Sequence, residues 1–352
     1  MTVPRDAYAA GVPEAVLSTN PTMNDVARTA GVALKTVSRF VNGETNINPS
    51  LAARIAAAIE ELGYRRNLAA ASIRPGWTSR IIGLVISDFA NPYYSALTRS
   101  IEQTAREQGY LLISASSEED GRTFDRVVDR LMEQRVDGII VVPPRSTGRS
   151  WAQVVGPVPP VVVLDRPSDV ADADTILADN AGGAEMAVRT LVAGGAQRIA
   201  FVGDSLEIYT MSERFAGYKT ALTTTGRSVD AALVATDAHG YEDAEESVLR
   251  LMRESAPDAL FAANNRAAIG TLFAFRALGR RVPLIAFDDF ESARLADPAV
   301  SVVTQNIAEM GRFAAERIIA RATGGNTAAT VTILPTTLVL RGSELADRHN
   351  TQ

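Results

Sequence analysis

From residue 81 onward the chain repeats one pattern: a short apolar run bounded by turn residues, then a helical stretch, then another apolar run. Strands apolar on both faces must be covered on both faces, which in such an alternating chain means a parallel sheet between helices. The runs IIGLVI, YLLISAS, GIIVVPP and VVVLD form one series, and RIAFVGD, LVATD, ALFAANN and LIAFDD form a second. Two series predict two doubly wound α/β subdomains, with the late runs SVVTQ and TTLVLRG returning to complete the two sheets. At 352 residues the chain also has room for a further, smaller domain.

Ligands of doubly wound sheets bind outside the carboxyl ends of the strands. Those ends offer Asp88, Asn91, Tyr93 and Tyr94 after the first run, Asp165 and Arg166 in VVVLDR, Asn264 in FAANN, Asp288 in IAFDD and Gln305 in VVTQN. Arg214, in MSERFAGY, joins them from a helical stretch. Carboxylates, guanidiniums and amides satisfy hydroxyls that both donate and accept, and aromatic rings cover flat C–H faces, so the set suits a sugar. Asp165 and Asp288 against Arg166 and Arg214 give a balance that favours an uncharged polyol over a phosphate. Plainer roles stay open: Asp165 and Asp288 as caps, Tyr93 as core, and Arg214 as a surface partner of Glu213.

The chain has no cysteine and two histidines, His239 and His349, which leaves little for metal binding, thiol chemistry or acid–base catalysis. No GxGxxG or GxxxxGK pattern occurs. We therefore expect no cofactor, no metal and no enzymatic activity. No apolar run reaches the roughly 18 residues a membrane helix needs, and the first twenty residues lack a signal peptide's basic start and apolar stretch, so a cytoplasmic protein is expected.

The formal net charge of −6 is unevenly spread: residues 1–76 hold eight Lys and Arg against six acids, a net of +2, leaving −8 for the rest. In that basic end Thr22 can cap a helix with Met23, Val26, Ala27 and Ala30 at helical spacing, stopped by Gly31. A second short helix runs through LKTVSRFVN with Val37 and Val41 inward, and a third starts at Asn48 and Pro49, continues through Ile55, Ile59 and Leu62, and ends at Gly63. Three short helices around a tight glycine turn suit DNA reading, and equally fit any small helical bundle.

The string TMNDVARTAGVALKTVSRFVNG, continued by IAAAIEELGYRRNLAAASI, resembles the head of the LacI family of transcriptional regulators. The resemblance implies that Leu34, Lys35 and Arg39 face base edges in the major groove, with Thr36, Ser38 and Asn42 on phosphates; Arg and Lys suit guanine acceptors and Leu a thymine methyl. It also makes NLAAASIR a hinge helix that wedges Ile73 into the minor groove, with Arg66 and Ala71 departing from the family's usual Pro and Arg. The body, from about 79 to 345, is similar to the family's periplasmic sugar-binding type of core, and near the ribose-binding type at NPYY, LDR, SERFAGY, FAANN, AFDD and VTQ. Ala238 stands where that type has an aromatic, and Asn265 where it has an Asp.

The whole is then a multidomain chain: an N-terminal extension at 1–20, expected to be disordered, an all-α helix-turn-helix head at 21–63, a hinge at 64–78, an effector core at 79–345 and a tail at 346–352. Within the core one subdomain is expected over about 79–165 plus 290–322, and the other over 166–289 plus 323–345. The implied function is a homodimeric repressor whose operator affinity is set by a pentose-like or related sugar. A purine or sugar-phosphate co-repressor is the alternative effector, and a sugar carrier the alternative class.

Overall fold

The structure, a computed structural model, describes residues 21–65, 78–146, 149, 151, 154, 157–325 and 328–345. They belong to two compact units divided after Trp77. The N-terminal extension, the hinge residues Arg66, Ala71 and Ile73, and the tail lie outside the described residues.

The head is three helices around a small core. Helix α1 (Met23–Ala30) begins with a capping box: the Asp25 amide donates to the Thr22 hydroxyl, and the Thr22 amide donates to the Asp25 carboxylate at 2.9 Å. It ends at Gly31, whose φ of 60° is the left-handed conformation a side chain resists. Arg54 fixes that turn by donating to the carbonyls of Ala30 at 2.6 Å and Gly31 at 3.0 Å. Helix α2 (Leu34–Val41) follows after three residues, and α3 (Pro49–Leu62) starts under an Asn48 cap with proline at its first position. Val26, Val37 and Ile55 are fully buried together, with Ala27, Ala30, Ala58 and Tyr64 closing around them. At about 1.5–3 kcal/mol per buried large side chain this is a modest core, so the caps and the Gly31 turn carry a real share of the head's stability.

The second unit has two six-stranded sheets. Its elements in order are β1 (Ile81–Ile86), α4 (Pro92–Glu107), β2 (Leu111–Ser116), α5 (Gly121–Glu133), β3 (Gly138–Val141), β4 (Val161–Leu164), β5 (Asp174–Ala178), α6 (Asn180–Ala193), β6 (Ile199–Val202) and α7 (Tyr209–Thr224). There follow β7 (Val234–Ala235), α8 (Tyr241–Glu254), β8 (Ala259–Ala262), α9 (Asn265–Leu278), β9 (Leu284–Phe287), β10 (Ser301–Gln305), α10 (Ile307–Ala322), β11 (Val331–Leu334) and β12 (Thr336–Val339). The first sheet runs β11-β5-β4-β3-β1-β2 and the second β12-β10-β9-β8-β6-β7, parallel throughout except where β12 pairs antiparallel with β10. β3, β4, β5, β6, β8 and β9 are buried at every position, as strands covered on both faces must be.

The chain crosses between subdomains after β5, after β10 and between β11 and β12, which corrects the boundaries expected at 165/166, 289/290 and 322/323. DTILA joins the first sheet as β5, pairing Val162 with Asp174, because the charge that hides it as a strand is neutralised: Asp174 takes the Arg321 guanidinium at 2.6 Å and the Thr330 amide at 2.9 Å. SVVTQ and TTLVLRG do not complete one sheet each. Both lie in the second, as β10 and β12, and VTIL, as β11, returns to the first.

Candidate functional site

Between the subdomains, at the carboxyl ends of both sheets, lies a cleft whose free volume is about 80 Å³. Asn91 caps α4 by accepting from the Tyr93 amide at 3.0 Å, which places Tyr93 and Tyr94 on the helix's first turn. Their rings meet edge to face with centroids 5.0 Å apart, and both hydroxyls donate to Asp165, at 2.9 Å and 3.1 Å. Asp165 follows β4 and Asp288 follows β9, each with φ near 67–68°, a conformation uncommon for a non-glycine residue that turns the carboxylate into the cleft.

The two guanidiniums are committed to protein partners. Arg214, 3% exposed, sends Nη1 to the Ala263 carbonyl at 2.7 Å and to Asp288 at 2.8 Å, sends Nε to Asn180 at 2.8 Å, and lies 3.7 Å over the Phe287 ring. Its partner is thus Asp288 across the cleft floor, not Glu213. Arg166, 6% exposed, donates Nη1 to Glu119 at 2.9 Å and to the Pro143 carbonyl at 3.1 Å, and Nη2 to Glu119 at 2.7 Å and to Tyr94 at 3.2 Å. Gln305 sits behind Asp288, donating to it at 2.6 Å, and brings its amide oxygen within 3.4 Å of the Tyr93 hydroxyl. Two further bonds join the lobes: Asn265 Nδ2 donates to Asn91 at 2.8 Å, and Arg266 pairs with Asp88.

Burial sets the protonation states. It pushes the Asp165 carboxyl above its usual range against the opposing pull of Arg166 and Arg214. It also raises both tyrosine hydroxyls, with Asp165 adding to the effect, so they remain donors. Burial alone would raise Glu119 too, but the hydrogen bond and charge of Arg166 outweigh it and hold that carboxyl below its usual value.

Asn91, Tyr93, Tyr94, Asp165, Arg166, Arg214, Asn264 and Asp288 all line the cleft, with Gln305 one bond behind; Asn264 also caps α9, accepting from the Ala267 amide at 2.7 Å. Sequence reasoning missed Glu119, Asn180, Asp204 and Arg266. Glu119 and Asp204 stand just past β2 and β6, so the same strand-end rule would have found them. Asn180 follows β5, the strand whose charge concealed it. In the head, Leu34 is 45% exposed at the start of α2, next to the exposed Lys35, while Thr36, Ser38 and Arg39 are half-buried and Asn42 exposed. Arg39 bonds Glu44 at 2.6 Å through Nε and Asn46 through Nη2, so a base contact by those nitrogens requires the bonds to open. Among the described residues no cluster of three or more His, Cys, Asp or Glu is arranged to hold a metal, and no helix is long and apolar enough to cross a membrane.

Residues 22–67 match the family described as bacterial regulatory proteins, lacI family, and residues 188–344 match the periplasmic binding protein-like domain. The regulator CelR of Thermobifida fusca is 31% identical over 336 residues, covering 92% of this chain and 98% of that one. The chain belongs to the LacI family. It is a DNA-binding transcriptional regulator, with the helix-turn-helix head and two-lobed core of that family. Another member, the ribose operon repressor of Escherichia coli (strain K12), is 29% identical over 313 residues, 86% of this chain and 93% of its own. The solved CelR–cellobiose complex superposes with a TM-score of 0.66 at 28% identity, over 92% of this chain and 100% of that one.

Proposed function

We propose that this regulator is a cytoplasmic repressor that binds operator DNA as a homodimer and changes its operator affinity when a neutral sugar occupies the cleft. The observation that carries the effector's chemistry is the state of the cleft's hydrogen-bonding groups. The terminal nitrogens of Arg166 already bond Glu119, Pro143 and Tyr94, and Arg214 is tied to Asp288, whereas Asp165 and Asp288 retain lone pairs turned into the space. A ligand that donates to those carboxylates, as polyol hydroxyls do, fits this state. Two relatives support this reading, one solved with cellobiose and one named for a ribose operon. The same commitments favour binding over catalysis, since each cleft guanidinium is fixed to a carboxylate and the tyrosines are held protonated.

Dimerisation has its own support. Edge strand β2 exposes Leu111 and Ile113, and the second lobe exposes Phe273 and Leu295 beside a groove of about 680 Å³, apolar surface that a second copy would cover. In a dimer, the Asn91–Asn265 and Asp88–Arg266 bonds let lobe geometry at the cleft reset the spacing of the two heads.

The test is a set of thermal melts of the full-length protein with pentoses, hexoses, disaccharides, sugar phosphates and purines. A ligand at 100 times its Kd adds about 2.7 kcal/mol. Stabilisation by a neutral sugar supports the reading; stabilisation by purines or sugar phosphates alone overturns it.

A further inference from the structure

We propose that Glu119 is a specificity residue of this cleft: it fills the Arg166 fork as a ligand's phosphate or carboxylate would, and so turns away anionic ligands while leaving neutral polyols free to bind. This rests on the reading of the cleft as the effector site. The two carboxylate oxygens of Glu119 take Nη1 and Nη2 at 2.9 Å and 2.7 Å, the parallel two-bond geometry by which arginine holds oxyanions. The remaining bonds of those nitrogens go to the Pro143 carbonyl and the Tyr94 hydroxyl, which leaves only the buried Nε without a hydrogen-bond partner.

Glu119 is itself held in place. The Ser87 hydroxyl donates to it from the other side, and Glu118 and Glu119 both adopt left-handed backbone, with φ of 51° and 57°. Two consecutive non-glycine residues in that region persist only where their surroundings impose it, and here the outcome is a carboxylate delivered to a buried guanidinium. The charge of the lining points the same way. Asp88, Glu119, Asp165, Asp204 and Asp288 face Arg166, Arg214 and Arg266, five carboxylates against three guanidiniums, so an incoming anion meets an excess of negative charge. A tethered carboxylate competes at millimolar or higher effective concentration, which free phosphate must exceed to displace it. A neutral polyol need not displace it at all.

The experiment is isothermal titration of the full-length protein with inorganic phosphate, against chloride at equal ionic strength. It uses the wild type, Glu119→Asn, which is shorter, uncharged and tolerant of left-handed backbone, and Glu119→Gly, which carries no steric penalty there. Both variants are expected to bind phosphate at least about tenfold more tightly than the wild type, a gain of about 1.4 kcal/mol. Adding Arg166→Gln should remove the gain. Phosphate binding equal in wild type and both variants, or a gain that survives Arg166→Gln, overturns the role of Glu119. The sugar reading falls separately, if no neutral sugar raises the wild-type melting temperature.

Discussion

Replacing Arg214 by Met removes one half of the buried ion pair at the cleft floor while keeping most of the side-chain volume over Phe287. Arg214 and Asp288 are 3% and 8% exposed and 2.8 Å apart, so the variant strands a largely buried carboxylate. Breaking a buried pair from one side costs about 3–5 kcal/mol, because the remaining charge stays desolvated. The bonds to Asn180 and the Ala263 carbonyl go as well, and Gln305 is left as the donor to Asp288. At about 2–4 °C per kcal/mol, the core transition should fall by at least about 6 °C. The double variant Arg214→Met/Asp288→Leu leaves no orphaned charge and should recover more than half of the loss. Urea and thermal unfolding of the full-length wild type, both single variants and the double give the complete cycle. A loss under about 1 kcal/mol for Arg214→Met, or a double variant equal to the sum of the singles, would refute the view that this pair is a buried, coupled element of the site.

Arg39→Ala should weaken specific operator binding about 5–150-fold in fluorescence anisotropy and leave the melting of the core unchanged, since a good bidentate base contact is worth about 1–3 kcal/mol; unaltered DNA affinity would remove Arg39 from the interface. Gly31→Ala should destabilise the head by about 1–2 kcal/mol, since the left-handed turn resists a Cβ that would also collide with the Arg54 guanidinium, and an unchanged head melt would contradict that. Acid should destabilise the core. Glu119 and Asp174, held low by Arg166 and by Arg321 against the upward push of burial, and Asp289, held low by Arg341, have folded pKa values below the ordinary 4.5 and 3.8. Their contribution is complete above those values and is lost as pH falls through the lower folded ones. Asp165, shifted up, acts in the opposite sense and weakens the core as pH rises through its folded value. Urea midpoints that stay level from about pH 5 down to pH 2.5 would contradict the assignment of these acids.

The head was legible because its signals are local. Thr22, Gly31, Asn48, Pro49 and Gly63 each act within one helical turn, and α1 and α3 begin and end at those residues. The cleft was legible for a topological reason: in a parallel sheet the carboxyl ends converge, so Asp165, Asp288 and Asn264 meet although they are far apart in sequence. The failures are physical too. DTILA does not read as a buried strand, because Asp174 looks solvated until Arg321 and Thr330, some 150 residues later, neutralise it. Glu119 lies in a run of acids that reads as a charged surface, and only its buried partner Arg166 reveals otherwise. The exchange of strands between lobes depends on which sheet offers a free edge, and SVVTQ carries no mark of that in its own residues.

The most direct test of the central claim is the affinity of the full-length protein for a duplex it has itself selected from genomic fragments, measured with and without the neutral sugar that raises its melting temperature most. The account expects the sugar to change that affinity by about 5–150-fold, the span of a 1–3 kcal/mol coupling, and expects Asp288→Ala to bind the duplex but lose the response. Equal affinity with and without the sugar, or a response that survives Asp288→Ala, would contradict it.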